Sequence, residues 1–269
     1  MRPVRRSTTL LLAVLLAAGC AGQSDEVPAG GARDIYESAR RSMTVSNWGS
    51  AGTQLEQLVR RYPFGPYADQ ARLDLIYVYY RDENRELAMD SAEQFIRENP
   101  RSPHVDYAHY MRGLIYFEAE DAFFDRLFRL DPSKRPAENA QRSYANFAAF
   151  LQRFPDSKYA ADAHERMVWL RNHLAQYEYN TAEYYMRREA YLAAANRIHD
   201  LLANYPEATI TPDALRMLGE AYRQLNLQDL ARDTAHVYVE SYGDSDPSTD
   251  DETELGDDTG VPPAVVGSD

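Results

Sequence analysis

A short phrase returns four times along the chain: RYP at Arg61–Pro63, ENP at Glu98–Pro100, RFP at Arg153–Pro155 and NYP at Asn204–Pro206. Proline lacks the amide hydrogen that a helix interior needs and pushes the residue before it out of helical space. Each phrase therefore ends one helix and turns the chain into the next. Between the phrases the pattern from Ala32 to Tyr242 is helical, with few strand signals. Alanines stand at a fixed distance before these prolines, at Ala51, Ala88 and Ala194, and Ala51 to Ala88 and Ala194 to Ala231 are each 37 residues apart. Ser102-Pro103 and Thr211-Pro212 are expected to start helices, with a capping hydroxyl ahead of a proline at the first helical position. A periodic, helix-only chain of this kind is a stack of helix hairpins, since one hairpin alone cannot bury its apolar face.

The spacing matches the tetratricopeptide repeat (TPR), with the proline at position 32 and the alanine at position 20. The last repeat is nearly complete, with Leu215, Leu218, Gly219, Tyr222 and Ala231 at positions 4, 7, 8, 11 and 20. Gly113 and Tyr116 give positions 8 and 11 of a middle repeat, whose second helix begins only near Asn139. An insertion near 121–138 separates its two helices. The fold expected is all-α, an α-solenoid of about five TPR hairpins over 32–242. Small residues at positions 8 and 20 are expected where the helices of a hairpin cross closely, with bulky ones at 11 and 24 between hairpins.

In such an array, positions 2, 5, 9 and 12 of each first helix line a concave groove. Tyr36 and Arg40 fall there in the first repeat, Tyr77 and Tyr80 in the second, and Tyr107, Tyr110 and Phe117 in the third. The fifth repeat places Asp213, Arg216, Glu220 and Arg223 there instead. The spacing thus describes an aromatic N-terminal groove and a charged C-terminal one. Tyrosine offers large contact area at small entropic cost and keeps a hydroxyl for peptide backbone. The same side chains also serve as packing between helices, and spacing alone does not separate the two roles.

The N-terminus sets the location. Arg2, Arg5 and Arg6 precede an uncharged, mostly apolar run from Thr8 to Ala18, too short to span a bilayer and suited to a secretory signal. It ends in small residues and Cys20, the only cysteine of the chain. This resembles a bacterial lipoprotein signal over 1–19, which implies a covalent lipid on Cys20. Ala21, rather than Asp, after the cysteine implies sorting to the outer membrane. Residues 20–31 form a Gly-, Pro- and Ser-containing tether that reaches at most about 40 Å. Residues 243–269 hold nine Asp/Glu, three prolines and no Lys/Arg, the composition of a disordered tail.

The chemistry of catalysis is missing from the sequence. A lone cysteine excludes a disulfide framework and a Cys-rich zinc site. None of the six histidines forms an H-E-x-x-H pair, and there is no G-x-S-x-G, phosphate-binding loop or dinucleotide-binding glycine run. Neither a metal nor a cofactor is expected. The net charge of −13, with the acidic tail removed, leaves a body that is still mildly acidic, so nucleic acid is not an expected partner. A glycan-cleaving enzyme on a helical superhelix would need a further domain bearing a general-acid glutamate, which is not expected after Tyr242. What remains is a binding surface.

The stretches RYPFGPYADQARLDLIYVYY (Arg61–Tyr80), DYAHYMRGLIY (Asp106–Tyr116), LAQYEYNTAEYYMRREAYLAAANR (Leu174–Arg197) and YPEATITPDAL (Tyr205–Leu215), with EVP at Glu26–Pro28, resemble the BamD family. These are TPR lipoproteins of the outer-membrane β-barrel assembly (BAM) complex. The resemblance covers almost everything up to Tyr242. It implies a non-enzymatic scaffold, lipid-anchored in the outer membrane and facing the periplasm. Its partners would be a periplasmic POTRA domain of the barrel subunit BamA, other BAM lipoproteins and unfolded outer-membrane proteins. It implies further that the N-terminal repeats, with Tyr62 and Gly65 in YPFGPY, receive the C-terminal signal of those substrates. Arg197, in ANRIHD, matches the family's contact arginine for the barrel subunit. From the residues alone, Arg197 falls beside the packing residue Ile198 and reads equally as a solvated helix arginine. The alternative function is a TPR lipoprotein that coordinates periplasmic cell-wall synthesis.

Overall fold

The computed structural model describes residues 31–120 and 137–243. Cys20, the expected signal peptide, the tether up to Gly30, the insertion over 121–136 and the tail beyond Gly243 lie outside the described residues. Ten helices are described: α1 (Ala32–Thr44), α2 (Trp48–Arg61), α3 (Ala68–Arg81), α4 (Arg85–Glu98), α5 (Val105–Glu120), α6 (Glu138–Arg153), α7 (Ala160–Arg187), α8 (Tyr191–Asn204), α9 (Thr211–Gln224) and α10 (Gln228–Tyr242). They pair in sequence order as five antiparallel hairpins, each packed on the next. The expected all-α stack of five hairpins is the fold observed.

The prolines act as expected. Tyr62, Asn99, Phe154 and Tyr205, each preceding one, leave helical space at φ −133°, −126°, −133° and −135°. Each still donates its amide to the last turn, for example Tyr62 to Leu58 and Phe154 to Phe150 at 2.8 Å. The turns inside the hairpins follow a second rule that the sequence did not announce. In hairpins one, two, four and five the turn has three residues, and its middle one is left-handed: Ser46, Glu83, Glu189 and Asn226, at φ 56–61°. The residue after it donates back across the helix end, Asn47 to Ser42 at 2.9 Å and Leu227 to Tyr222 at 2.9 Å. This is the paired-bond C-terminal motif in which glycine is usual, built here without glycine. Ser46 to Glu83 and Glu189 to Asn226 repeat the 37-residue period.

Two expected caps are different. α5 begins at Val105, two residues after Pro103, and the Ser102 hydroxyl accepts from the His104 amide at 3.2 Å. Thr211 lies inside α9, where its hydroxyl donates back to the Pro206 carbonyl at 3.2 Å. The side-chain caps are Asn47 and Asn84, which accept from the amides of Ser50 and Leu87 at 3.2 Å.

The close crossing of helices is real but uneven. Ala51, Ala88 and Ala194 are fully buried and Ala231 nearly so. In the third hairpin the equivalent place belongs to Ser143, also fully buried, whose hydroxyl donates to the Gly113 carbonyl at 2.9 Å. A Cβ on Gly113 would lie 2.5 Å from the ring of buried Phe147, so α5 and α6 touch there with no room for a methyl group. Gly219, at the same repeat position, has its nearest neighbours at 3.9 Å. The expectation that position 8 must be small holds at Gly113 and fails at Gly219. Gly113→Ala is therefore expected to cost about 1–3 kcal/mol through overpacking. Gly219→Ala should be neutral or stabilise by up to about 1 kcal/mol through helix propensity. Thermal unfolding of the two variants beside wild type reads the difference.

Candidate functional site

The expected groove residues separate into a buried set and an exposed set. Tyr77, Tyr80 and Phe117 are buried, and Tyr107 and Tyr110 are each 1 % exposed. Tyr77 meets Trp48 edge-on at 5.9 Å, and its hydroxyl accepts from Arg81 at 3.0 Å. Tyr110 stacks on Tyr159 at 4.8 Å and lies 5.9 Å from both Phe147 and Phe150. Phe117 meets Trp169 edge-on at 5.2 Å, with Arg166 over its ring at 4.8 Å. These five side chains are packing. The idea of an open aromatic ladder is corrected at these positions, because bulky rings at the first-helix interface are the residues that fill the space between hairpins. Hydropathy spacing places a tyrosine on a face without saying whether that face meets solvent or the next helix.

Hydroxyl bonds explain why Tyr36 and Tyr110 are tyrosine and not phenylalanine, whereas the buried Tyr107 hydroxyl has no partner. Tyr36 on α1 donates to Asp74 Oδ2 on α3 at 2.9 Å. Tyr110 on α5 donates to Asp162 Oδ2 on α7 at 2.6 Å, and Arg166 holds that carboxylate through two bonds of 2.7 and 3.0 Å. A hydroxyl on one first helix thus ties to a carboxylate on the next first helix, in hairpins one to two and three to four.

Tyr36, Arg40, Tyr62 and Gly65 remain reachable. Tyr36 is half-buried, and burial followed by the Asp74 carboxylate push its hydroxyl pKa up. Arg40 is exposed and bears on both Tyr36 and Asp74. Tyr62 is half-buried with Arg61 over its ring at 5.8 Å, and Gly65 is exposed at the turn before α3. Beside them stands Phe64, 96 % exposed, which sequence reasoning passed over. The signal was present: a phenylalanine between two prolines at a loop tip has no helix to bury it.

At the C-terminal end, Arg216 pairs with Asp213 at 2.8 Å and Arg223 with Glu220 at 2.7 Å, so the charged face expected there exists as local ion pairs. Arg197 on α8 is partly exposed and donates to Glu178 on α7 at 3.2 Å. Glu178 is buried, so Arg197 is a buried carboxylate's partner as well as a surface cation.

Asp74 is the titratable group that burial perturbs most clearly in the carboxylate series. Desolvation pushes it up to about 6, against the bonds from Gln70 and Tyr36 and the Arg40 charge, which pull it down. Gln70 donates to it at 2.6 Å and leaves its own Oε1 buried without a partner. A carboxyl whose folded pKa lies above its unfolded value binds more protons when folded, so its contribution falls as pH rises. The Asp74 contribution to stability should therefore decline between about pH 4 and pH 7, by about 3 kcal/mol for a shift of this size, while His109, which burial lowers to about 4, contributes with the opposite sign over the same range. Asp74→Asn should remove the Asp74 contribution, so that the variant gains on wild type as pH rises through this range, since a neutral amide still accepts from Tyr36 and donates to Gln70. Denaturant unfolding of both proteins at a series of pH values checks it.

Similarity to known proteins runs over most of the described residues. The family model YfiO, described as an outer membrane lipoprotein, matches residues 28–237. A Vibrio cholerae protein named outer membrane protein assembly factor BamD is 40 % identical over 227 residues, covering 84 % of this chain and 94 % of its own. The protein of that name from Xylella fastidiosa strain 9a5c is 37 % identical over 243 residues, covering 88 % and 83 %. Its namesake from Neisseria gonorrhoeae is 39 % identical over 203 residues, covering 76 % of each chain. With the family model spanning residues 28–237 and relatives 37–40 % identical over most of the chain, the chain belongs to the YfiO family of outer membrane lipoproteins, the family of BamD.

Proposed function

We propose that this protein is a non-enzymatic scaffold of the outer-membrane β-barrel assembly machinery. It is anchored by lipid on Cys20 and faces the periplasm. Its C-terminal hairpins bind the periplasmic POTRA domain of the barrel subunit BamA. The N-terminal end, around Tyr36, Arg40, Tyr62 and Gly65, receives unfolded outer-membrane proteins, and other lipoproteins of the complex share the body. No cofactor takes part. The observation that carries this reading is the family match over residues 28–237, supported by relatives named as outer membrane protein assembly factors. No observation favours the alternative of a coordinator of cell-wall synthesis.

The anchor is tested by Cys20→Ser, since serine has no thiol to acylate. The variant should leave the outer-membrane fraction in cells depleted of the partner subunits, and retention there would sink the lipoprotein assignment.

The C-terminal contact is tested at Arg197. Removing the cation leaves Glu178 buried and unpaired, so Arg197→Leu should cost about 1–2 kcal/mol, the buried-pair penalty discounted for Arg197's exposure. It should also weaken binding to a purified periplasmic fragment of the barrel subunit. Adding Glu178→Gln should restore the stability while binding stays weak. If the double variant regains binding too, Arg197 acts through the fold and not through the partner.

A further inference from the structure

Resting on that anchored reading, we propose that the Pro63–Pro66 turn is a second membrane contact, with Phe64 as an aromatic tip seated at the headgroup–acyl boundary. Among the described residues no other large apolar side chain is as exposed as Phe64. Nothing in the turn lets it fold back. Pro63 and Pro66 flank Phe64-Gly65, Arg72 donates to the Pro63 carbonyl at 3.0 Å, and the Ala68 amide donates to the Gly65 carbonyl at 3.0 Å. The turn is a braced knob.

Its place relative to the chain's first helix supplies the occupant. Tyr67, at the far side of the turn, packs on Tyr36 at 5.3 Å, and Tyr36 lies one turn into α1. The knob thus shares an edge with the point where the chain leaves Cys20, and residues 20–31 span at most about 40 Å. The cations of that edge sit around the same rings. Arg61 lies over Tyr62 at 5.8 Å, Arg40 bears on Tyr36, and Arg33 on Tyr67. Of the nearby acids, Glu37 pairs with Arg33 at 2.7 Å and Asp69 with Arg72 at 3.1 Å, while Asp34 accepts from the Gly31 amide at 3.2 Å. An aromatic tip with arginines on the tyrosine rings at its base is the chemistry of an anionic bilayer surface. An extended peptide is captured in a groove or along a sheet edge; the convex Phe64 ring offers it neither, and the proposed substrate residues Tyr36, Arg40, Tyr62 and Gly65 lie at the base of the tip. Insertion of one ring is weak alone, but the anchor keeps the tip at high local lipid concentration, so a weak contact suffices to orient the solenoid.

The test couples the mature chain through its single thiol, Cys20, to a maleimide lipid in phosphatidylethanolamine–phosphatidylglycerol vesicles, which makes the result independent of cellular acylation. Phe64→Trp adds an indole at the tip, and Leu192→Trp adds one at an exposed apolar position on α8. Wild type, with Trp48 and Trp169, is the blank. Replacing the phospholipid with its brominated form should quench the added emission of Phe64→Trp by at least half and leave that of Leu192→Trp nearly unchanged. Equal quenching at the two positions, or none at the tip, overturns the proposal. So does a blue shift of the tip indole on adding, without vesicles, a barrel-protein C-terminal peptide ending in Phe, which would assign the knob to substrate. The Cys20 anchor itself stands or falls separately, on the fractionation of Cys20→Ser.

Discussion

Close approach of two helices within each hairpin is the constraint on which the solenoid depends. Backbones come near only where a side chain is small, and the small residue recurs at Ala51, Ala88, Ser143, Ala194 and Ala231. The third hairpin is the tightest. Gly113 leaves no space for a methyl group against Phe147, and the Ser143 hydroxyl bonds the Gly113 carbonyl at the same crossing. That serine brings a polar atom into a fully buried place and satisfies it on backbone, so burial carries no unpaired donor. The third hairpin is also the one whose helices are joined by a long connection instead of a three-residue turn.

Between hairpins the glue is aromatic and polar at once. Tyrosines on the first helices bury their rings against the next hairpin and tie their hydroxyls to carboxylates there, Tyr36 to Asp74 and Tyr110 to Asp162. A phenylalanine in either place would keep the apolar area and remove one donor from the acid, leaving Gln70 on Asp74 and Arg166 on Asp162. The two acids differ in cost. Asp162 stays partly solvated with Arg166 across it, whereas Asp74 is buried and has Arg40 only at longer reach. The strength of the N-terminal interface consequently depends on proton concentration.

This division also sorts the surface. The residues that a TPR register assigns to a groove are largely consumed in holding the array together. What the chain presents outward is a braced aromatic tip at the N-terminal end and ion-paired arginines at the C-terminal end. Among those arginines Arg197 is distinct, because its partner Glu178 is buried. Any protein that engages Arg197 competes with an internal carboxylate, so binding and local stability are linked at that position.

The sequence by itself determined the helices, their order and their number. Proline placement and a 37-residue period are local, which is why the five hairpins were legible from the recurring phrases and alanines, and the family from the longer stretches such as Arg61–Tyr80 and Leu174–Arg197. Turn chemistry was less visible, since four left-handed positions carry Ser, Glu, Glu and Asn where glycine would have announced them. Tertiary structure alone decided which faces are spent. Gly113 and Gly219 occupy one repeat position, yet only Gly113 is crowded, because crowding depends on the ring that the opposite helix presents. Tyr107 and Tyr36 look alike as letters in a pattern, but one is sealed against Tyr159 and the other is half open beside Arg40. Burial is a property of neighbours that are distant in the chain, and no periodicity within a single helix encodes it.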